Sequence, residues 1–157
     1  VYKRQSITHD VGKIAIPDAI LNKNGRLTKE EYEIMKTHAQ KGAELLAQIP
    51  QMRSHAAFRY AYDIALHHHE RWDGRGYPDG LVGEETPVWT QIVALADVYD
   101  ALVSKRCYKE AYSFDTAVHM IVEGQCGIFG PRILEHFQAA EPALRKMYLR
   151  GMEGKGI

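Results

Sequence analysis

The chain lacks net charge, is poor in cysteine and has no apolar run approaching a membrane span. Each shortage removes a class of function. Its 20 Lys and Arg side chains are balanced by 20 Asp and Glu, so no global field draws it to nucleic acid or to an anionic membrane. A bilayer span needs roughly 20 apolar residues in a row, and no signal peptide is visible. Cys107 and Cys126 form no CxxC motif, which fits two reduced thiols in a cytosolic, cytoplasmic protein better than a disulfide framework. At 157 residues the chain is expected to form one domain with a real core. It opens on Val1-Tyr2-Lys3 without an initiating Met, as expected of a fragment of something longer.

Histidine, by contrast, is plentiful and clustered. The stretch Ile64–Pro78 reads IALHHHERWDGRGYP. Three imidazoles at the end of an apolar helical pattern run into a glutamate, and a turn-rich segment follows. A histidine triplet facing solvent needs no function. Its company gives it weight: His9-Asp10 with Lys13 upstream, His38 on another helix and Asp97 downstream.

Around these residues the pattern is helical throughout. Ile7 and Val11 stand four apart on one face, with His9-Asp10 in the last turn of that helix and Gly12 as its stop. Residues 13–27 read as an ordered loop with one helical turn over 18–22. Thr28 and Glu31 form a capping box that opens a helix over 29–48, with Ile34, Met35, Ala39, Ala43, Leu45, Leu46 and Ile49 as its apolar positions. His38 lies three after Met35 and four after Ile34, so it points inward. A lone inward histidine is more often a satisfied core residue than a ligand. Gly42 on the same face would admit another element closely. A second helix is predicted over 54–70, with Ala57, Phe58, Ala61, Ile64 and Ala65 buried. His68 falls on that stripe, His69 neighbours it, and His67 is expected in solvent.

A Gly- and Pro-rich loop over 71–87 follows, of a length that is usually functional or disordered. Val88, Ile92, Leu95, Ala96, Tyr99, Leu102 and Val103 mark the next helix. Asp97 lies in its most apolar part, where a carboxylate must be paired, protonated or metal-bound. Ser113 and Asp115 start a helix to about 123, and Gly130-Pro131 starts a last one with Ile133, Leu134 and Phe137 inward. Residues 150–157 are expected as a frayed basic tail after a domain over 1–149. The class is all-α.

His9, Asp10, His38, His68, His69 and Asp97 supply imidazoles and carboxylates with no thiolate, which suits borderline to hard divalent ions such as Fe, Mn, Zn, Ni or Co. Six ligands exceed the need of one tetrahedral ion. Two ions bridged by a carboxylate, with Asp10 as the natural bridge, would suit in-line displacement at phosphorus. Lys13, one turn on, could neutralise charge on a phosphoryl oxygen.

The segments HDVGKIAIPDAILNKNGRLTKEEYEIMKTH, HHERWDGRGYPDGLVGE and ALADVYDALVSKRCYKEAYS closely resemble the HD-GYP domains of bacterial signalling proteins. The resemblance covers about residues 6–137. It implies an all-helical HD-domain bundle with a long Gly/Pro-rich loop and a metal-dependent phosphodiesterase that opens cyclic di-GMP to linear pGpG, GMP or both. Cyclic GMP-AMP is the substrate of some members. Carried over by position, it implies metal ligation by His9, Asp10, His38, His68, His69 and Asp97, and Lys13 near the bridging water. It implies substrate binding by Arg106 and Lys109, whose alternative is a solvated helix end. Gly76, Tyr77 and Pro78 match the signature loop, which in the family shapes the site and meets protein partners, notably GGDEF domains. Family members usually carry more sequence before the His-Asp pair, so an N-terminally truncated domain without a third ion is expected. The alternative function is an inactive module that binds nucleotide or a protein partner through this loop.

Overall fold

A computed structural model describes residues 8–105 and 110–153. The regular elements of the described residues are helical, with one isolated bridge between Asp73 and Val82 and no strand. In order come a 3-10 segment at Val11–Ala15, α1 (Asp18–Leu21), α2 (Lys29–Gln48), α3 (Pro50–Arg53), α4 (Phe58–His67), a 3-10 turn at Gly83–Glu85, α5 (Val88–Val103), α6 (Phe114–Val122) and α7 (Pro131–Glu153). The chain divides into two compact units, Val1–Asp97 and Val98–Ile157.

In the first unit α2 is the spine. Thr28 accepts a hydrogen bond from the Glu31 amide, and the Glu31 carboxylate accepts one from the Thr28 amide at 2.7 Å. The box thus satisfies two N–H groups that a helix start leaves open. The inward face of α2 carries His38, Ala39, Gly42, Ala43 and Leu46, while Ile34 and Ile49 at its margin are exposed. Ala43 and Leu46 pack with Ala61 and Ala65 of α4, and Val11, Met52, Phe58, Tyr62 and Leu66 close around them. Small residues at this crossing let the backbones approach, which places the imidazoles of α2 and α4 within reach of each other.

Gly12 does not stop a helix. It lies inside the 3-10 segment and rests on α2, where a Cβ would collide with the carbonyl oxygen of His38 and the amide of Gly42. Two glycines facing each other therefore seat the His9-Asp10 turn on the same stretch of α2 that carries His38.

Two other expectations are corrected. The helix predicted over 54–70 is Phe58–His67, because residues 54–57 are tied in turns. Ser54 donates to Gln51 O, and the ring of His55 accepts from the Ala57 amide. On α5 the buried positions are Thr90, Val93, Ala94, Leu95 and Leu102, whereas Val88, Ile92 and Ala96 are exposed. In the second unit α7 runs through Pro142 to Glu153, and residues 154–157 of the expected tail lie outside the described residues. Arg145 braces the helix with bonds to Glu141 one turn back and to Asp115.

That second unit is built on aromatic packing. The rings of Phe114 and Phe137 each lie about 6 Å from Tyr99, and Tyr148 packs on Phe114. Ser113 caps α6 by accepting from the Thr116 amide. Gly124, at φ +68°, supplies the left-handed turn that ends it.

Candidate metal centre

All six residues singled out as ligands meet within the first unit. His9 and Asp10 come from the turn that enters the 3-10 segment, His38 from α2, His68 and His69 from the end of α4, and Asp97 from α5. His9 Nε2 lies 3.3 Å from Asp10 Oδ2 and 3.6 Å from Asp97 Oδ1. Asp10 Oδ1 lies 3.4 Å from His38 Nε2 and 3.9 Å from His68 Nε2. Ligand atoms of His38, His68 and His69 fall within 4.8 Å of one another. Asp10 thus touches both sides of the cluster, one oxygen toward His9 and the other toward His38 and His68.

The protonation pattern decides what the cluster can hold. His38 Nδ1 lies 2.7 Å from Met35 O, and His68 Nδ1 lies 2.9 Å from Ile64 O. A carbonyl only accepts, so both Nδ1 atoms carry hydrogen, and in a neutral ring Nε2 then presents a lone pair. Both rings are neutral near pH 7. Burial, with smaller contributions from neighbouring charged groups, lowers the pKa of His38 and brings that of His68 to about 4. His69 is pushed lower still, mainly by burial and then by the neighbouring imidazoles. Yet His38 Nε2 and His68 Nε2 face each other at 3.3 Å, and the buried Asp10 Oδ1 beside them has no hydrogen-bond donor. Three acceptors converge without a proton between them. A cation bound among them resolves that conflict, and the imidazole N–H to carbonyl bonds are those that orient metal-binding histidines.

The carboxylates are ionised. Burial alone would raise the pKa of Asp10, but hydrogen bonds from His9 and Lys13 outweigh it and hold the group well below the usual range. Asp97 behaves alike, with burial opposed by His9. Lys13 Nζ sits 2.6 Å from Asp10 Oδ2, so its charge lies at the edge of the centre. Imidazole and carboxylate donors without thiolate suit borderline or hard divalent ions.

The signature loop is tied to this centre. The Tyr77 ring stacks on His69 with centroids 4.7 Å apart and planes 24° apart, and the Tyr77 amide donates to His69 O. Gly76 lies against the backbone of Glu70 and Arg71, where no Cβ would fit. His67 is not solvated as expected: its side chain is largely buried, and Nε2 lies 2.9 Å from Asp79 Oδ2. Arg106, Lys109 and Cys107 lie outside the described residues.

Sequence reasoning missed Glu70. The residue is 3% exposed, and its carboxylate accepts from the amides of Asp79, Gly80 and Leu81. The only sequence signal was a charged residue directly after three histidines, with turn residues downstream to receive it.

A family model of the HD domain matches residues 3–133. Over 134 residues the chain is 50% identical to a cyclic di-GMP phosphodiesterase of Vibrio cholerae, covering 85% of this chain and 27% of that protein. It is 48% identical over 127 residues to a cyclic di-GMP phosphodiesterase response regulator of Xanthomonas campestris, covering 81% and 32%. A 3′3′-cGAMP-specific phosphodiesterase of Vibrio cholerae is 40% identical over 133 residues, covering 85% and 25%. The chain therefore spans about a quarter to a third of the length of these curated relatives.

Proposed function

Because the chain belongs to the HD domain family, and within it to the HD-GYP type, we propose that it is a metal-dependent phosphodiesterase acting on cyclic di-GMP. The observation that supports this most is the meeting of His38 Nε2, His68 Nε2 and Asp10 Oδ1 without a proton to share. His9, Asp10, His38, His68, His69 and Asp97 would hold two divalent transition ions. When bound, such ions polarise a phosphodiester and acidify the attacking water.

The protein side of the reaction follows from the charges around the centre. Asp10 offers one oxygen to each half of the cluster, the arrangement a bridging carboxylate needs. Lys13, held beside it, places positive charge where a phosphoryl oxygen becomes more negative as the pentacoordinate geometry forms. His38 and His68, fixed by backbone carbonyls and kept neutral by burial, present lone pairs without having to lose a proton first. Arg106 and Lys109 would bind the phosphates or guanines, a planar fork and a point charge suited to those groups. Gly76, Tyr77 and Pro78 would shape the site, with the exposed Pro78 available to a protein partner such as a GGDEF domain. Among the described residues no helix is long and apolar enough to cross a membrane, and a cytoplasmic setting suits a soluble dinucleotide substrate.

The relative that acts on 3′3′-cGAMP makes that dinucleotide the second candidate substrate. Chromatography of products from both dinucleotides, with added Mn²⁺ or Fe²⁺, tests the reading. The expected result is metal-dependent conversion of cyclic di-GMP to linear pGpG or GMP, lost in Asp10→Ala. Equal hydrolysis by Asp10→Ala and the parent would refute it. Preference for 3′3′-cGAMP would transfer the same chemistry to the second substrate.

A further inference from the structure

The three imidazoles that cluster on one another are not oriented in the same way. His38 and His68 lie on helical turns, and each donates Nδ1–H to a backbone carbonyl of its own helix. His69 lies beyond the end of α4, and among the described residues no hydrogen bond to its ring is found. What meets its ring instead is aromatic: His38 edge-on, the tilted ring of His68, and the face of Tyr77. A ligand histidine without an orienting partner can rotate about its side-chain bonds, and a loose ligand weakens a metal site.

Resting on the reading of the cluster as a metal centre, we propose that Glu70 is a positioning residue for that centre, acting through the loop that presses Tyr77 onto His69. Glu70 Oε1 accepts from the Asp79 amide at 2.7 Å and the Gly80 amide at 3.1 Å, and Oε2 accepts from the Leu81 amide at 3.0 Å. These charge-assisted bonds tie down the chain just after Tyr77-Pro78. Just before it, Gly76 lies on the backbone of Glu70 and Arg71 with no room for a side chain. One residue therefore fixes both ends of the Tyr77 segment, one through its backbone and the other through its carboxylate.

The choice of a carboxylate supports this role. Burying an ionised group costs several kcal/mol unless it is well compensated. Here the compensation is three amides of a single turn, and among the described residues no Lys, Arg or His forms an ion pair with Glu70. An apolar side chain could fill the space but could not gather those three donors. His67 adds a second tie to the same turn through Asp79. The residues flanking His68 and His69 in sequence thus hold the loop, and the loop holds His69.

Titration of the full chain with Co²⁺, in the absence of any dinucleotide, tests the proposal through affinity, stoichiometry and the Co²⁺ absorption bands. Helix content is followed by circular dichroism, and exchange at the amides of Asp79, Gly80 and Leu81 by NMR. Tyr77→Leu removes the flat face and is expected to weaken Co²⁺ binding by about 10- to 100-fold, the usual cost of losing an orienting partner. Tyr77→Phe keeps the face and is expected to bind within a few-fold of the parent. Glu70→Ala is expected to weaken binding to a similar extent and to speed exchange at the three amides. Glu70→Gln, which loses the charge and turns an N–H₂ toward one donor, should fall between Glu70→Ala and the parent. If Glu70→Ala does not fold, Glu70→Gln and Tyr77→Leu decide. Parent-like Co²⁺ binding and absorption bands in both, with helix content retained, overturn the positioning role while leaving the metal centre standing. A parent that takes up no Co²⁺ overturns the metal centre and this proposal together.

Discussion

Among the described residues, the unit ending at Asp97 buries His38, His68, Glu70, Thr86 and Thr90, whereas in the unit from Val98 onward the buried side chains are apolar: Leu102, Phe114, Ala117, Ile121, Phe129, Ile133 and Phe137. Apolar burial stabilises by removing surface from water and asks nothing of orientation. Polar burial costs free energy unless each group finds a partner. Around the histidine cluster the first unit meets that cost in two ways. Glu70 is answered by backbone amides. His38, His68 and Asp10 are answered only in part, and that incompleteness points to a bound cation. A buried carboxylate that backbone amides fully satisfy is scaffold, whereas several acceptors that converge with no donor between them, as at His38, His68 and Asp10, mark a candidate site.

The largest expected effect comes from removing a half-satisfied group. His68→Ala should abolish metal uptake and lower phosphodiester turnover by at least about a thousand-fold, the several kcal/mol that charge stabilisation by bound metal supplies. Retained metal stoichiometry in that variant would break the contrast. Next comes the apolar unit. Ile121 is fully buried, and Ile121→Ala should cost about 2–5 kcal/mol in urea unfolding with metal content per folded molecule unchanged. A loss of metal at constant fold would show that the units do not divide the work as described.

Acid sharpens the same contrast. In protein stripped of metal by a chelator, the pKa of His68 is about 4 folded and near 6.5 unfolded, and His38 and His69 shift the same way. Between pH 6.5 and 4 the unfolded chain binds protons that the folded chain refuses. Stability therefore falls as pH drops through that window, by a few kcal/mol, and levels off for His68 below pH 4. Asp10 acts later. Its folded pKa is depressed, so its contribution is intact above the usual aspartate pKa and is lost only as pH falls through the folded value. Urea unfolding at stepped pH checks the sign, and a rise in stability on acidification across that window would contradict it. The smallest effect is at the surface. Arg145→Ala removes exposed bonds to Asp115 and Glu141 and should shift the melting temperature too little to resolve.

Much of the site could be read before any coordinates because helical periodicity carries it. His38 and His68 share stripes with Met35, Ala39, Ile64 and Ala65, and those stripes face each other. The Thr28–Glu31 box gave both the start and the direction of α2, and Gly42 marked where another backbone would come close. What could not be read has no period. Glu70 reaches amides nine to eleven residues ahead in a loop whose path depends on Gly76. His67 finds Asp79 by the same route. The seat of Gly12 on α2 is a backbone contact, and a glycine that ends a helix looks the same in sequence as one that admits a neighbour.

Anomalous scattering from a crystal grown with Mn²⁺ or Fe²⁺ tests most directly whether the six side chains form one inorganic centre. The expected result is strong peaks within about 2.0–2.3 Å of the Nε2 atoms of His38 and His68, with a second ion on the His9 and Asp97 side and Asp10 between them. Peaks elsewhere, or none among His9, Asp10, His38, His68, His69 and Asp97 at saturating metal, would contradict it.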